Sequence, residues 1–268
     1  MTGPGPEGTY THGHPGAVLR SHRWRTVANS AAYLAPRLVP GASVLDVGCG
    51  PGTITAEFAT MVAPGPVVGL DAAETAVAAA TADHQASNLT FRTGDVYALG
   101  LTDDSVDVVH AHQVLQHLAD PVRALREMRR VCRPDGVVAV RDGDYAAMSW
   151  WPASPGLDRW QDLYRAVARA NGGEPDAARR LVGWVRAAGF DRYEVRASAW
   201  CFADPADRAW WSETWAVRIA DSPLADRALE LGLATRPELD GCAAAWRAWA
   251  LEADACFVVP HVEVLASP

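Results

Sequence analysis

Hydrophobic and polar positions in the first half of the chain predict short buried strands separated by helices. The strands are runs of four or five mostly apolar residues, as expected where both faces of a parallel sheet are covered. These runs are Val44–Val47, Val67–Leu70, Leu89–Arg92, Val106–His110 and Val137–Val140. The intervening helical patterns cover residues 54–62, 73–86 and 121–133. Alternating strands and helices are typical of an α/β fold with a parallel sheet.

The second half of the chain predicts more helix than strand. Helical patterns cover residues 150–171, 176–188, 205–220, 223–234 and 237–253, and strands cover 192–202 and 256–265. One more helix is predicted before the first strand, at 21–36, with Ser21 as its N-cap and Pro36 at its end. Most of the 11 tryptophans fall in this half. They suit either core packing or an apolar substrate pocket, and both explanations stay open.

The chemistry is centred on the glycine-rich turn that follows the first strand. Gly48, Gly50 and Gly52 alternate with other residues, and Asp46 stands two positions before the first glycine. A dinucleotide-binding turn would carry its third glycine where Thr53 stands. A carboxylate here would repel a pyrophosphate but suits the amino group and sulfonium of S-adenosylmethionine (SAM). Asp71 closes the second strand and is placed to accept hydrogen bonds from ribose hydroxyls.

This D-x-G-x-G-x-G turn resembles the first motif of the class I SAM-dependent methyltransferases. The run LREMRRVCRPDGVVAV also resembles the helix, turn and strand of their quinone- and small-molecule-modifying, UbiE-like subgroup. The resemblance is continuous to about residue 145 and implies a Rossmann-like sheet of seven mostly parallel strands, the last antiparallel. We therefore predict a flexible N-terminal cap at 1–20 and a methyltransferase domain at 21–268, with lid helices at about 150–171 and 205–253.

The resemblance also implies which residues hold the cofactor. SAM, which leaves as S-adenosylhomocysteine, would contact the glycine turn and the acids that end the neighbouring strands. Asp95 matches the position that binds the adenine amino group, although it could simply be an N-cap, and Gln113 matches the position beside the methionine part. The predicted cofactor-binding residues are Asp46, Gly48, Gly50, Gly52, Asp71, Ala72, Asp95, Val96 and Gln113.

Three residues are candidates for catalysis. An acceptor hydroxyl needs a base with a pKa near neutrality, and histidine is the usual one. His117 is the first candidate, oriented by Asp142 or Asp144 after the next strand, although it could be a plain helix residue. Tyr10 lies in the N-terminal segment, which closes over the active site in many members of this family.

The composition of the chain limits the kinds of molecule that we expect it to bind. The formal net charge is −8 and no basic stripe stands out, so nucleic acid is not expected. No apolar run reaches about 18 residues, so no membrane span is expected. The five cysteines form no C-x-x-C pair, which favours free thiols in a reducing cytoplasm and no metal site. We expect a small, partly apolar acceptor, methylated on oxygen or carbon, and allow for a homodimer.

Two other functions remain open. One is an NAD-dependent oxidoreductase, against which Asp46 and the missing third glycine argue. The other is a SAM-binding protein with altered chemistry, such as a cyclase, whose cofactor turn would look the same.

Overall fold

A computed structural model describes residues 24–268, so Tyr10, Ser21 and the predicted cap segment 1–20 lie outside the described residues. The sheet has eight strands: β1 Val44–Val47, β2 Val67–Asp71, β3 Leu89–Thr93, β4 Val106–His112, β5 Cys132–Gly143, β6 Ser149–Trp151, β7 Arg192–Phe202 and β8 Cys256–Ser267. The eight α-helices in the same range are α1 Thr53–Val62, α2 Glu74–Asp83, α3 Pro121–Val131, α4 Pro155–Ala170, α5 Leu181–Ala187, α6 Pro205–Ala220, α7 Pro223–Glu230 and α8 Arg236–Ala250.

The strand order is β3-β2-β1-β4-β5-β8-β6. Strand β8 is long, so β5 and β6 pair with different parts of one of its edges, residues 261–266 and 256–258, and β7 pairs along the opposite edge. Strands β1 to β5 pair in parallel, whereas β8 runs antiparallel to β5, β6 and β7. The predicted α/β Rossmann-like fold with an antiparallel last strand is confirmed.

Strand β6 is one strand more than the seven predicted, and it occupies the start of the predicted helix at 150–171. Residues 149–151 pair with β8, and α4 starts only at Pro155. Ser154 caps that helix by accepting a hydrogen bond from the Leu157 amide, and Pro155 occupies the first turn, where its missing N–H costs nothing.

The predicted helix at 21–36 is also wrong in its described part. Thr26 forms a capping box with Asn29 at the start of a short π-helix, Val27–Ala31. A separate 3₁₀ turn, Ala35–Arg37, follows. The predicted helix at 176–188 is likewise a 3₁₀ turn, Ala177–Arg180, followed by α5.

Side chains alternate between the two faces of the sheet and build a separate core on each. On one face, Leu45 and Val47 pack with α3 and α5. On the other, Val44 packs with residues 27–38 and α1.

A third core lies in the helical layer, which we define as α4, α6, α7 and α8, together with the ends of β7 and β8 that pack on them. It contains most of the tryptophans. No helix among the described residues is long and apolar enough to cross a membrane.

Candidate active site

A cavity of about 670 Å³ opens at the carboxyl ends of β1 to β4. This is the edge of a parallel α/β sheet where ligands bind, because the loops there diverge. Most of the predicted site residues come together in its wall: Asp46, Gly48, Gly50, Asp71, Ala72, Asp95, Val96, Gln113 and His117. Gly52 and Asp142 do not line it.

The glycine turn is shaped by its backbone. Gly48 and Gly50 have positive φ angles, of 70° and 53°. A Cβ on Gly48 would stand 2.3 Å from Cγ2 of Val114, which lines the same cavity. Gly52 also has a positive φ, of 79°, and a Cβ there would stand 2.6 Å from Cζ of Phe91. Only glycine therefore fits these turns without displacing a neighbour.

Asp71 joins the end of β2 to the glycine turn. One carboxylate oxygen accepts a hydrogen bond from the Gly50 amide at 2.9 Å, and the other accepts from the Ala73 amide at 2.9 Å. The side chain is only half-buried and faces the cavity. Since a carboxylate has lone pairs to spare, Asp71 can hold the turn and still accept hydrogen bonds from a ligand.

Asp46 is more engaged than the sequence suggested. It is buried, and its two oxygens bond to Oγ1 of Thr55 at 2.5 Å and Nδ1 of His110 at 2.7 Å. The carboxylate thus fixes the base of the turn and contributes negative charge from beneath the cavity. Beyond the end of β3, Asp95 is exposed and accepts a hydrogen bond from the Tyr97 amide, and Val96 is half-buried in the cavity wall.

Gln113 links the cavity to residues far away in the sequence. It has a φ of 55°, which is uncommon for a residue with a side chain. Its Oε1 accepts a hydrogen bond from Arg25 at 2.7 Å, so its Nε2 is the amide nitrogen that meets Nε2 of His261 at 2.9 Å. His261 must accept that hydrogen bond, which places its own proton on Nδ1.

The predicted pairing of His117 with an acid is replaced by another arrangement. Asp142 accepts hydrogen bonds from the backbone amides of Leu115 and Gln116 and thereby holds the turn that carries His117. Asp144 bonds to Arg179 at 2.7 Å through both oxygens. Nε2 of the His117 ring lies 3.3 Å from Nε2 of Gln116.

Burial determines the protonation states of His117 and Asp142. Burial, and then the positive charge of Arg25, lower the pKa of His117 to about 3, so this ring is neutral at pH 7. Burial raises the pKa of Asp142 to about 8 despite the two amide hydrogen bonds and nearby arginines, so this carboxyl is mostly protonated at pH 7. A histidine with a pKa this low is a weak base.

The structure also reveals a row of buried polar side chains that the sequence analysis did not identify. His112, Arg141 and Glu263 are direct neighbours across β4, β5 and β8, and Ser198 of β7 bonds to Glu263. Arg141 donates to Glu263 at 3.1 Å and to Nδ1 of His112 at 3.5 Å. The available signal was the presence of charged or polar residues within otherwise apolar strands.

The contact with Arg141 determines which ring nitrogen of His112 carries the proton. Because arginine can only donate, Nδ1 of His112 accepts and its Nε2 carries the proton. Burial, and then Arg141, lower the pKa of His112 well below its ordinary value, so the ring is neutral. His112 lines the cavity, and Nε2 has no hydrogen-bond partner among residues 24–268. His112 therefore holds a neutral, buried N–H donor beside the cavity.

The tryptophans do not form this wall. None of them is among the cavity residues, whereas Trp160, Trp215 and Trp246 are fully buried in the core of the helical layer. Of the two explanations left open, core packing accounts for these three. Among residues 24–268, no group of three or more acidic, histidine or cysteine side chains could hold a metal ion.

The lining residues fit SAM. Gly48 has no Cβ to obstruct the cavity, and the half-buried carboxylate of Asp71 can accept further hydrogen bonds there. Comparisons with known proteins agree. A sequence model of the methyltransferase domain matches residues 38–186, more than half of the chain. An uncharacterized methyltransferase of Schizosaccharomyces pombe is 33% identical over 281 residues, covering 99% of this chain and 98% of that protein. The ubiquinone/menaquinone biosynthesis C-methyltransferase UbiE of Bdellovibrio bacteriovorus is 39% identical over 37% of this chain and 43% of its own length.

Solved structures show the same fold at low sequence identity. A phosphoethanolamine N-methyltransferase of Haemonchus contortus, in complex with phosphomonomethylethanolamine and S-adenosylhomocysteine, has a TM-score of 0.58 and 15% identity, over 93% of this chain and 57% of its own. The cyclase SpnF has a TM-score of 0.50 and 22% identity, over 94% of this chain and 80% of its own. Together with the geometry of the glycine turn, these findings show that the chain belongs to the methyltransferase domain family and is a SAM-dependent methyltransferase.

Proposed function

We propose that this enzyme methylates a small, partly apolar acceptor of natural-product or quinone-like type, on an oxygen or carbon that the acceptor itself makes nucleophilic. The observation that carries the proposal is the charge of the wall. Among the lining residues, His112 and His117 are held neutral and Arg25 supplies a positive charge. His261, which bonds to the lining residue Gln113, is neutral as well. Such a wall suits an acceptor that arrives as a phenolate or enolate.

The cofactor end of the cavity binds and orients. With SAM bound, Asp71 would accept hydrogen bonds from the ribose hydroxyls, Gly48 and Gly50 would let the backbone approach the ligand closely, and Asp46 would favour its cationic groups. Asp95 and Val96, which line the cavity, would hold the adenine. Bound SAM supplies the activated methyl group on its sulfonium, so the protein has to align the acceptor and exclude water.

The acceptor end of the cavity orients the nucleophile. Gln113 stands between the two ends and is fixed by Arg25 and His261. The Nε2–H of His112 can donate a hydrogen bond to an acceptor oxygen. His117 stays a catalytic candidate in a changed role, as a neutral ring that positions the acceptor, and Asp142 acts through the turn that carries it.

No strong base is then required. An ionised acceptor has already lost its proton to solvent, so methyl transfer needs no group with a pKa near 7 in the wall. Tyr10 remains a prediction, as do the closing N-terminal segment, the lid role of the helical layer, the cytoplasmic location and the homodimer.

The test is a screen of phenol and enol acceptors of different acidity, with S-adenosylhomocysteine formation as the readout. The midpoint of the pH dependence of kcat/KM should follow the acidity of each acceptor. A midpoint that stays near pH 6.5 for every acceptor would show a titrating histidine and contradict the proposal. Conversion of an acceptor without any S-adenosylhomocysteine would instead indicate altered chemistry, such as cyclisation.

His117→Ala separates the two roles of this residue. With SAM affinity retained, it should raise KM for the acceptor and lower kcat without moving the pH midpoint. Full turnover in this variant would show that His117 has no part in the reaction.

A further inference from the structure

Two of the five cysteines lie close together at the base of the helical layer. Cys201 in β7 and Cys256 at the start of β8 have their Sγ atoms 3.6 Å apart. The two strands are antiparallel, and Cys201 stands opposite Val258, so Cys256 is its diagonal neighbour on the same face. Cys201 is exposed and Cys256 is half-buried, so a small reagent can reach the pair.

The distance suits a covalent bond after a small movement. A disulfide needs about 2.05 Å between the sulfurs, so the two atoms must approach by roughly 1.5 Å. The other three thiols are placed differently. Cys49 lies in the glycine turn and lines the cavity, whereas Cys132 and Cys242 are buried, and burial raises the pKa of Cys132 to about 12.

The position in the sequence gives the bond a structural consequence. Cys201 and Cys256 are 55 positions apart, and the chain between them consists mainly of α6, α7 and α8. Directly beside the thiols, Phe202 and Phe257 pair across the strands and belong to the core of the helical layer. A bond here would tie together the two ends of the segment at the point where it leaves the sheet.

We propose that Cys201 and Cys256 form a reversible disulfide that clamps the three-helix segment to the sheet, with a small disulfide such as glutathione disulfide as oxidant. The thiolate of exposed Cys201 attacks one sulfur of glutathione disulfide and releases one glutathione. The thiolate of Cys256 then attacks the Cys201 sulfur and releases the second. Two S–H bonds are lost and one S–S bond forms, and the two electrons and two protons leave with the two glutathiones.

The inference does not depend on the proposed function, because thiol counts and thermal unfolding report it without any acceptor. Closing a long loop lowers the entropy of the unfolded chain, so the oxidised protein should be the more stable form. Oxidation should also be faster at pH 8.5 than at pH 7, because thiolate is the attacking species.

The experiment treats the full-length reduced protein with glutathione disulfide and measures intact mass, alkylatable thiols and Tm. The reduced protein has five free cysteines. Oxidation should leave three, remove two hydrogens from the mass and join the peptides of Cys201 and Cys256. Tm should rise by roughly 5 °C or more and return to its starting value with dithiothreitol.

Cys201→Ser and Cys256→Ser are matched controls for one another. Neither variant should lose a pair of thiols or gain stability on oxidation. A stable glutathione adduct on Cys201 in the wild type would show that Cys256 does not attack and would overturn the proposal. A Cys201–Cys256 disulfide that leaves Tm unchanged or lowers it would equally overturn the clamp.

Discussion

The cofactor edge of the sheet and the helical layer use their residues in opposite ways. At the cofactor edge, the glycine turn and the acids at the strand ends leave a cavity of about 670 Å³, and a short motif encodes the local task of each. In the helical layer, large side chains fill their own space: the rings of Trp160 and Trp215 are 4.6 Å apart, and Trp160 and Trp246 are 4.8 Å apart. The first region therefore carries recognition, and the second carries stability.

The largest expected effect tests the second half of that comparison. Trp160→Ala should lower the free energy of unfolding by about 3–5 kcal/mol, because it leaves a large cavity in a dry core. Chemical denaturation measures this loss, and calorimetry on the folded protein should find SAM affinity unchanged. Trp151→Ala is the control, since this indole is 59% exposed and should cost about 1 kcal/mol or less. Loss of SAM affinity in Trp160→Ala would break the distinction between the regions.

The next effect concerns the polar row that lies between the two regions. Glu263→Ala leaves the buried guanidinium of Arg141 without its carboxylate and should cost about 3 kcal/mol of stability. It should also disturb acceptor binding, because Arg141 sets the tautomer of His112. The double variant Arg141→Met/Glu263→Leu should regain much of the stability but none of the acceptor binding. Equal stability of the single and double variants would contradict this account.

A smaller effect tests the first half of the comparison. Gly48→Ala should weaken SAM binding by about tenfold or more, since its Cβ would collide with Val114 in the cavity wall. Gly100→Ala is the matched control. Gly100 also has a positive φ, of 65°, but a Cβ there meets nothing within 4 Å. Both variants should lose some stability, and only Gly48→Ala should lose affinity in a calorimetric titration.

The smallest effect is a pH dependence. The pKa of Asp142 is raised to about 8, so the folded state holds a proton that the unfolded state has released above about pH 4. Folding then takes up a proton, and stability falls as pH rises towards 8. Between pH 7 and pH 8 the contribution of Asp142 to this loss is about 1 kcal/mol, and His112, His117 and His261, whose pKa values are lowered, offset part of it. Asp142→Asn should remove this slope, and an unchanged slope would show that Asp142 is ionised in the folded protein.

The same comparison explains what could be predicted from the sequence. Gly48, Gly50 and Asp71 were predictable because a turn and the strand ends beside it bring them together, whatever the rest of the chain does. His261 and Glu263 were not, because their partners Gln113 and Arg141 are far away in the sequence. The pairing of His117 with Asp142 shows the limit: the two are neighbours, but through backbone amides rather than the ring.

The boundaries of helices and strands were likewise predictable only where neighbouring residues in the sequence mark them. The strand Arg192–Phe202 and the helix Pro205–Ala220 were predicted at their observed limits, because Asp204 and Pro205 mark the helix start locally. The short strand Ser149–Trp151 was predicted as helix, because only its pairing with residues 256–258 makes it a strand.

The most direct test of the central claim is a calorimetric titration of SAM, S-adenosylhomocysteine and NADH into the wild type, Asp71→Ala and the exposed control Asp240→Ala. We expect both adenosyl ligands to bind the wild type and the control equally, to bind Asp71→Ala about tenfold or more weakly, and NADH to bind none of them. Binding of NADH at this site, or SAM affinity that is unchanged by Asp71→Ala, would contradict the assignment of the cavity.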